Sequence, residues 1–173
     1  RRNEGLVVPT QVNYVAKGTR ILDFADRPNG TALAVCRWAS LAWLIPKIRE
    51  QGGAYGASLD FERYSGYLAM TSYRDPNVLE TLATFDGTGA FLRTLELGAS
   101  DLVRSIIGAL NGIDPYQLPG AKGFMSLMRY LVGQTEVERQ KLRDELFATT
   151  AVDFRNFADV MEAVRDRGAA RVA

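Results

Sequence analysis

Residues 49–73 read REQGGAYGASLDFERYSGYLAMTSY, and the order of apolar and polar side chains in this stretch decides the fold. Between residues 54 and 63, Tyr55, Ala57, Leu59 and Phe61 alternate with Gly56, Ser58, Asp60 and Glu62. That period of two is what a strand with one buried face requires. Residues 66–73 form a second strand-like run, and Arg63, Tyr64, Ser65 and Gly66 between them hold turn material, so a β-hairpin is predicted. Ahead of the hairpin, Gly52 and Gly53 separate a cation, Arg49, from a phenol, Tyr55. A double glycine frees the backbone to pass from helix into strand and lets another chain approach closely.

Working outward, residues 31–49 are almost wholly apolar, with Trp38, Leu41, Ala42 and Ile45, and read as a helix buried on several sides. Pro46 removes a backbone donor, so a kink or break is expected there. Residues 11–17 alternate Val12, Tyr14 and Ala16 against Asn13 and Lys17 and predict a strand; residues 18–30, with Pro28-Asn29-Gly30, predict a loop. After the hairpin, Asp75-Pro76 supplies an N-cap and a first-turn proline for a helix carrying Val78, Leu82, Phe85 and Leu92, weakened by Gly87 and Gly89.

Beyond Gly98 the chain is mostly helical. Ser100 is placed to cap a helix with Leu102, Val103, Ile106, Ile107 and Leu110, and residues 119–133 put Phe124, Leu127, Met128 and Leu131 on one stripe. Thr135 to Glu138 has capping-box spacing, and residues 150–168 align Phe154, Phe157, Ala158, Met161 and Val164 before the stop signals Arg165, Arg167 and Gly168. Arg171-Val172-Ala173 begins a last strand. The order predicts an α/β (α+β) two-layer sandwich, a largely antiparallel sheet packed against helices, in a single domain over 1–173. A chain that stops at the onset of a strand leaves an unpaired edge, which points to a truncated final strand.

Composition narrows the chemistry. The 173 residues contain no histidine and one cysteine, Cys36, so zinc ligation by this chain would fall mainly to carboxylates. A single cysteine forms no internal disulfide and fits a reducing compartment, and its place in an apolar helical run predicts a buried, inert thiol. With 21 Lys+Arg against 20 Asp+Glu, the net charge of +1 gives no strong attraction to nucleic acid or anionic membrane. The longest apolar run, residues 31–45, is interrupted by Arg37 and is shorter than the roughly 20 residues a bilayer-spanning helix needs. Arg1-Arg2-Asn3-Glu4 is too short for a transit peptide, leaving a mature chain or a fragment.

Four segments in order, REQGGAYG (49–56), SYRDPN (72–77), ALNGIDPYQLP (109–119) and FADV (157–160), together resemble the presequence protease branch of the pitrilysin-like zinc metalloproteases. The likeness runs from PTQVNYV (9–15) to RDRG (165–168) and is to the last, C-terminal domain of that enzyme, a pitrilysin/LuxS-like metallohydrolase fold. It implies a zinc metalloendopeptidase in which two halves enclose a chamber where presequences and other unfolded peptides are degraded, in the mitochondrial matrix or the chloroplast stroma. Zinc is then bound by the N-terminal half, or a partner subunit, through an H-x-x-E-H motif that this sequence lacks. The partners implied are that half and an unfolded peptide substrate. The resemblance assigns Arg49 and Tyr55 as catalytic residues that reach the substrate at the zinc site. Gly52 and Gly53 between them read as substrate-binding residues, because bare backbone lets a substrate strand approach closely. By itself the chain is expected to be inactive.

Each residue also has a purely structural reading. Arg49 can serve only the helix dipole and its last carbonyls. Tyr55 falls in phase with Leu59 and Phe61 and can be a core tyrosine. Gly52-Gly53 can be no more than a C-cap and turn. Asp60, Glu62, Asp75 and Glu80 show no useful pairing and read as solvated or capping groups. The alternative at the level of function is a catalytically inactive scaffold or interaction subunit that keeps the fold within a larger organellar complex.

Overall fold

The computed structural model describes residues 2–21, 29–63 and 65–173. Its sheet has five strands in the order β1-β5-β2-β4-β3, with β1 Glu4–Gly5, β2 Asn13–Arg20, β3 Gly56–Glu62, β4 Tyr67–Asp75 and β5 Ala169–Val172. All pairings are antiparallel except β1 with β5. The helices are α1 Asn29–Ala39, continued by a π-wound segment Ser40–Gln51, then α2 Leu79–Arg93, α3 Ala99–Ile113, α4 Pro119–Leu131, α5 Glu136–Phe147 and α6 Ala151–Arg167. The predicted α+β sandwich and its β3/β4 hairpin are both present. The strand β5 does not form an open edge: it lies between β1 and β2 and pairs with each.

Packing of helices on one sheet face fixes which side chains are buried. Val15 on β2, Leu59 on β3, and Leu68 and Met70 on β4 point into a core shared with Leu44 and Ile48 of the π-wound segment, Phe85 and Leu92 of α2, and Phe154 and Met161 of α6. The sequence expectation for β2 had the wrong phase. Lys17, only 5% exposed, faces inward with Val15, whereas Tyr14 is exposed on the opposite face. The reason is an ion pair: the Lys17 ammonium meets the Asp86 carboxylate of α2, which compensates the charge it brings under the sheet. Strand β2 also runs to Arg20, so Gly18 is not in a loop. A side chain at Gly18 would come within 2.7 Å of the Leu68 carbonyl oxygen. Residues 22–28, with Pro28 of the expected loop, lie outside the described residues, and Asn29 and Gly30 already belong to α1.

The helix termini follow the sequence at Thr135 and depart from it at Ser100 and at Asp75-Pro76: α2 begins at Leu79 with Val78 as its cap residue, so Asp75 is not its N-cap and Pro76 is not in its first turn. Thr135 and Thr150 form reciprocal capping boxes with Glu138 and Asp153. Ser100 caps nothing; it lies inside α3, where Gly98 is the cap residue. The stripe Phe124, Leu127, Met128 and Leu131 does share a helix, but α4 buries none of its residues. The predicted α6 core residues Phe154, Phe157, Ala158, Met161 and Val164 are all buried. Helices α2 and α6 come close because Gly89 faces Ala158 and Glu162, and Arg93 bridges Asp159 and Glu162 across the seam.

Pro46 does not break the helical run. The chain instead widens from α to π winding after Ala39 and passes through Pro46 to Gln51. The Trp43 ring stacks on Phe91 at 4.5 Å, and its indole N–H donates to the Thr84 carbonyl at 3.1 Å, tying the segment to α2. On its other side the Ser40 hydroxyl accepts the outward-pointing Leu59 N–H at 2.8 Å, which caps the middle of the sheet edge formed by β3.

Cys36 sits in α1 within this core, and burial pushes its thiol well above its ordinary value, with the Asp60 charge adding to the effect. Its thiolate is therefore scarce at neutral pH. Iodoacetamide at about pH 8 is expected to leave Cys36 unmodified in the native chain and to label it fully in urea, read by mass spectrometry. Native labelling as fast as that of a free thiol would contradict this burial.

Candidate functional site

The passage from the π-wound segment to β3 is closed by its own backbone. The Arg49 carbonyl accepts the N–H of Gly52 and, at 3.0 Å, that of Gly53, while the Ile48 carbonyl accepts the Ala54 N–H at 3.1 Å. Gly53 has φ +79°, the left-handed conformation that ends many helices and that a side chain resists. Gly52 is needed for space: a Cβ there would lie 2.6 Å from the Ile48 carbonyl oxygen. The C-cap and turn reading of the two glycines is thus correct as far as it goes.

That turn sets where the two candidate groups stand. Arg49, in the last helical turn, is exposed, and Tyr55 is 68% exposed. Among the described residues, neither side chain has a hydrogen-bonding or ion-pair partner. Tyr55 is not a core residue, although its number is in phase with Leu59. It lies at a bend one residue before β3, where Ala54 takes the buried position and Tyr55 turns to the open face of the sheet.

The open face holds Tyr55 in a row of rings. Its backbone N–H donates to the Tyr73 carbonyl at 3.0 Å, and its ring meets Tyr73 edge to face at 5.6 Å. Tyr73 in turn meets Tyr14 at 5.3 Å in the same manner. Tyr14 and Tyr73 also line a cavity of about 760 Å³ with Leu6, Thr71 and Arg171. A second cavity of about 750 Å³ lies along β3 between α1, α3 and α4, and includes Arg37, Asp60 and Arg129. Neither of these is lined by Arg49 or Tyr55.

A bulge at the end of β4 shapes the neighbouring surface. Asn13 pairs with Asp75 but Val15 pairs with Ser72, so Tyr73 and Arg74 together oppose Tyr14. Arg74 takes φ +51°, a strained value for a residue with a side chain. The extra residue switches the phase of the strand: Tyr73 and Arg74 are exposed and Asp75 is fully buried. Inside, the Asp75 carboxylate accepts the Asn77 N–H at 2.8 Å, closing the turn that leads toward α2, and the Thr81 hydroxyl at 2.6 Å. Asp60, Glu62 and Glu80 are exposed. Sequence pattern expected Asp75 as the N-cap of α2, a place that Val78 takes, and gave no sign of the bulge.

There is no histidine, and among the described residues no three Cys, Asp or Glu side chains gather where an ion could be held.

Comparison with known proteins then defines the class. Residues 3–173 match the model of the PreP C-terminal domain, and the chain belongs to that family. It is 46% identical over 169 residues to presequence protease 1, chloroplastic/mitochondrial, of Arabidopsis thaliana, covering 98% of this chain and 16% of that protein. It is 32% identical over 154 residues to the mitochondrial presequence protease of Aspergillus oryzae, covering 87% of this chain and 14% of that protein. The chain therefore spans about one-sixth of the length of the relatives it matches. In architecture it is similar to pitrilysin, with a TM-score of 0.64 at 13% identity over 97% of this chain and 19% of that structure. The fold is that of a pitrilysin-like protease domain.

The turn geometry yields a direct test. Gly53→Ala should lower stability by about 1–2 kcal/mol because of its left-handed backbone, whereas Gly56→Ala, with open space around it, should stay within about 0.5 kcal/mol of the parent. Denaturant midpoints of the two variants decide it, and the opposite order would show the turn to be wrongly described.

Proposed function

We propose that this chain is the C-terminal, non-zinc-binding part of a zinc metalloendopeptidase that degrades presequences and other unfolded peptides in mitochondria or chloroplasts. It supplies a wall of the substrate chamber together with two polar groups, the Arg49 guanidinium and the Tyr55 hydroxyl. The observation that supports this most is that both are exposed and without hydrogen-bonding or ion-pair partners, at the two ends of a turn whose backbone N–H groups from Gly52 to Tyr55 are all hydrogen-bonded. A guanidinium used only as a helix-end cation, or a phenol used only for packing, would not both be left this way.

The chemistry follows from charge. Peptide hydrolysis builds negative charge on the scissile carbonyl oxygen, and donors aimed at that oxygen bind the transition state more strongly than the neutral amide. In a chamber poor in water, each such donor is worth about 2.7–4 kcal/mol, or about a hundredfold to a thousandfold in rate. The backbone at Gly53, bare of side chain and exposed, lets an extended peptide pass close to the turn. Zinc is held by the remainder of the enzyme, the N-terminal half or a partner subunit, and the isolated chain has no peptidase activity.

In the full-length enzyme, Arg49→Ala and Tyr55→Phe should each lower kcat on an unstructured peptide by about a hundredfold or more, with zinc content and thermal midpoint unchanged. Unchanged kcat in both would remove the catalytic role and leave the inactive-scaffold reading standing.

A further inference from the structure

We infer that Asn77 is the positioning residue of the Arg49–Tyr55 pair, acting on both through the Gly52 carbonyl. This inference rests on the catalytic reading of that pair and adds a component to it. The Asn77 side-chain amide donates to the Gly52 carbonyl oxygen at 2.5 Å, across 25 residues of sequence. Gly52 is the hub of the turn. Its N–H is bound to the Arg49 carbonyl on one side, its chain continues through left-handed Gly53 to Tyr55 on the other, and its carbonyl is held by Asn77.

Asn77 is itself fixed from behind. Its N–H donates to the buried Asp75 carboxylate, which also accepts the Thr81 hydroxyl of α2. The Asp75 carbonyl accepts the side-chain amide of Asn13 at 2.9 Å, linking the arrangement to β2. Asp75 reaches the interior only because the bulge at Tyr73-Arg74 reverses the phase of β4. The strain at Arg74 is thus part of the device: without the extra residue, Asp75 would face the open side and Asn77 would lose its anchor. Pro76 packs on the same turn, its ring lying 3.7 Å from where a Gly53 Cβ would be.

The grip is two-sided. Residues 73–77 hold Tyr55 through the Tyr73 carbonyl and ring, and hold Gly52 through Asn77. With both points fixed, the chain between them has little freedom, and the angle between the end of the π-wound segment and the start of β3 is set. Loss of the Asn77 bond frees the Gly52 peptide to rotate. Arg49 and Tyr55 then keep their side chains but not their relative placement, and small misplacements of catalytic groups carry large rate penalties. Asn77 touches neither side chain, so its effect on catalysis passes through them.

The experiment uses the full-length, zinc-loaded enzyme and an unstructured peptide substrate. Asn77→Ala removes the donor; Asn77→Asp keeps the size and the backbone N–H but sets an acceptor against the Gly52 carbonyl, and serves if the alanine variant does not fold. Each should lower kcat by about tenfold or more with little change in KM, because placement of the transition-state donors suffers more than ground-state binding. In the Arg49→Ala/Tyr55→Phe background, Asn77→Ala should cost less than threefold, since both groups it places have already lost their donors. A structural role alone would give equal losses in the two backgrounds, and that additivity would overturn the inference. So would unchanged kcat in Asn77→Ala while Arg49→Ala and Tyr55→Phe are slow. If neither of those two is slow, the catalytic reading fails and this inference fails with it.

Discussion

The carbonyl oxygens of Ile48, Arg49 and Gly52 are the constraint on which the site depends. Three backbone N–H groups and one side-chain amide converge on them, and together they convert a wide helix into a strand within four residues. The proposed placement of Arg49 and Tyr55 hangs from that conversion. Glycine at both central positions is required for different reasons, space at Gly52 and a left-handed backbone at Gly53. The partner segment is equally specific. It must pair with β3, bulge, bury an aspartate and return an asparagine to the turn, all between Tyr73 and Asn77.

Much of the rest of the fold serves to keep this junction rigid. Trp43 anchors the π-wound segment to α2 by stacking and a hydrogen bond, Ser40 ties it to the sheet edge, and Leu44 and Ile48 seat it in the core. Precision of a site built on regular elements is easier to hold than one built on a long loop. Here the turn is short and both flanks are packed. The chain belongs to the PreP C-terminal domain family and spans about one-sixth of the length of the relatives it matches, and a sequence without histidine suits the proposed contribution of donors and surface.

How far the sequence spoke depended on whether the signal was local. The hairpin, the Thr135 capping box and the buried stripe of α6 were legible because turn chemistry and period-2 or period-3.6 patterning act within a few residues; the matching box at Thr150 went unread. The phase of β2 was not, since Lys17 is drawn inward by Asp86, 69 residues away. Tyr55 was in phase with the core by number and turned outward by a bend that alternation does not encode. Pro46 promised a break and instead lies within a change of winding. The bulge at Arg74 has no glycine to announce it, and the Asn77 bond to Gly52 joins segments whose approach only the folded sheet creates. Arg49, Gly52, Gly53 and Tyr55 were visible through resemblance to a family; their common dependence on Asn77 was not.

The central claim is that a guanidinium and a phenol from this chain bind the oxygen that gains charge during peptide hydrolysis. The most direct measurement is a crystal structure of the full-length enzyme with a phosphinic peptide, whose tetrahedral phosphinyl group mimics that charge. The account predicts that the Arg49 guanidinium and the Tyr55 hydroxyl both donate hydrogen bonds to a phosphinyl oxygen, with the Gly52-Gly53 turn unchanged. A bound inhibitor whose phosphinyl oxygens are met only by residues outside this chain, with Arg49 and Tyr55 left in solvent, would contradict it.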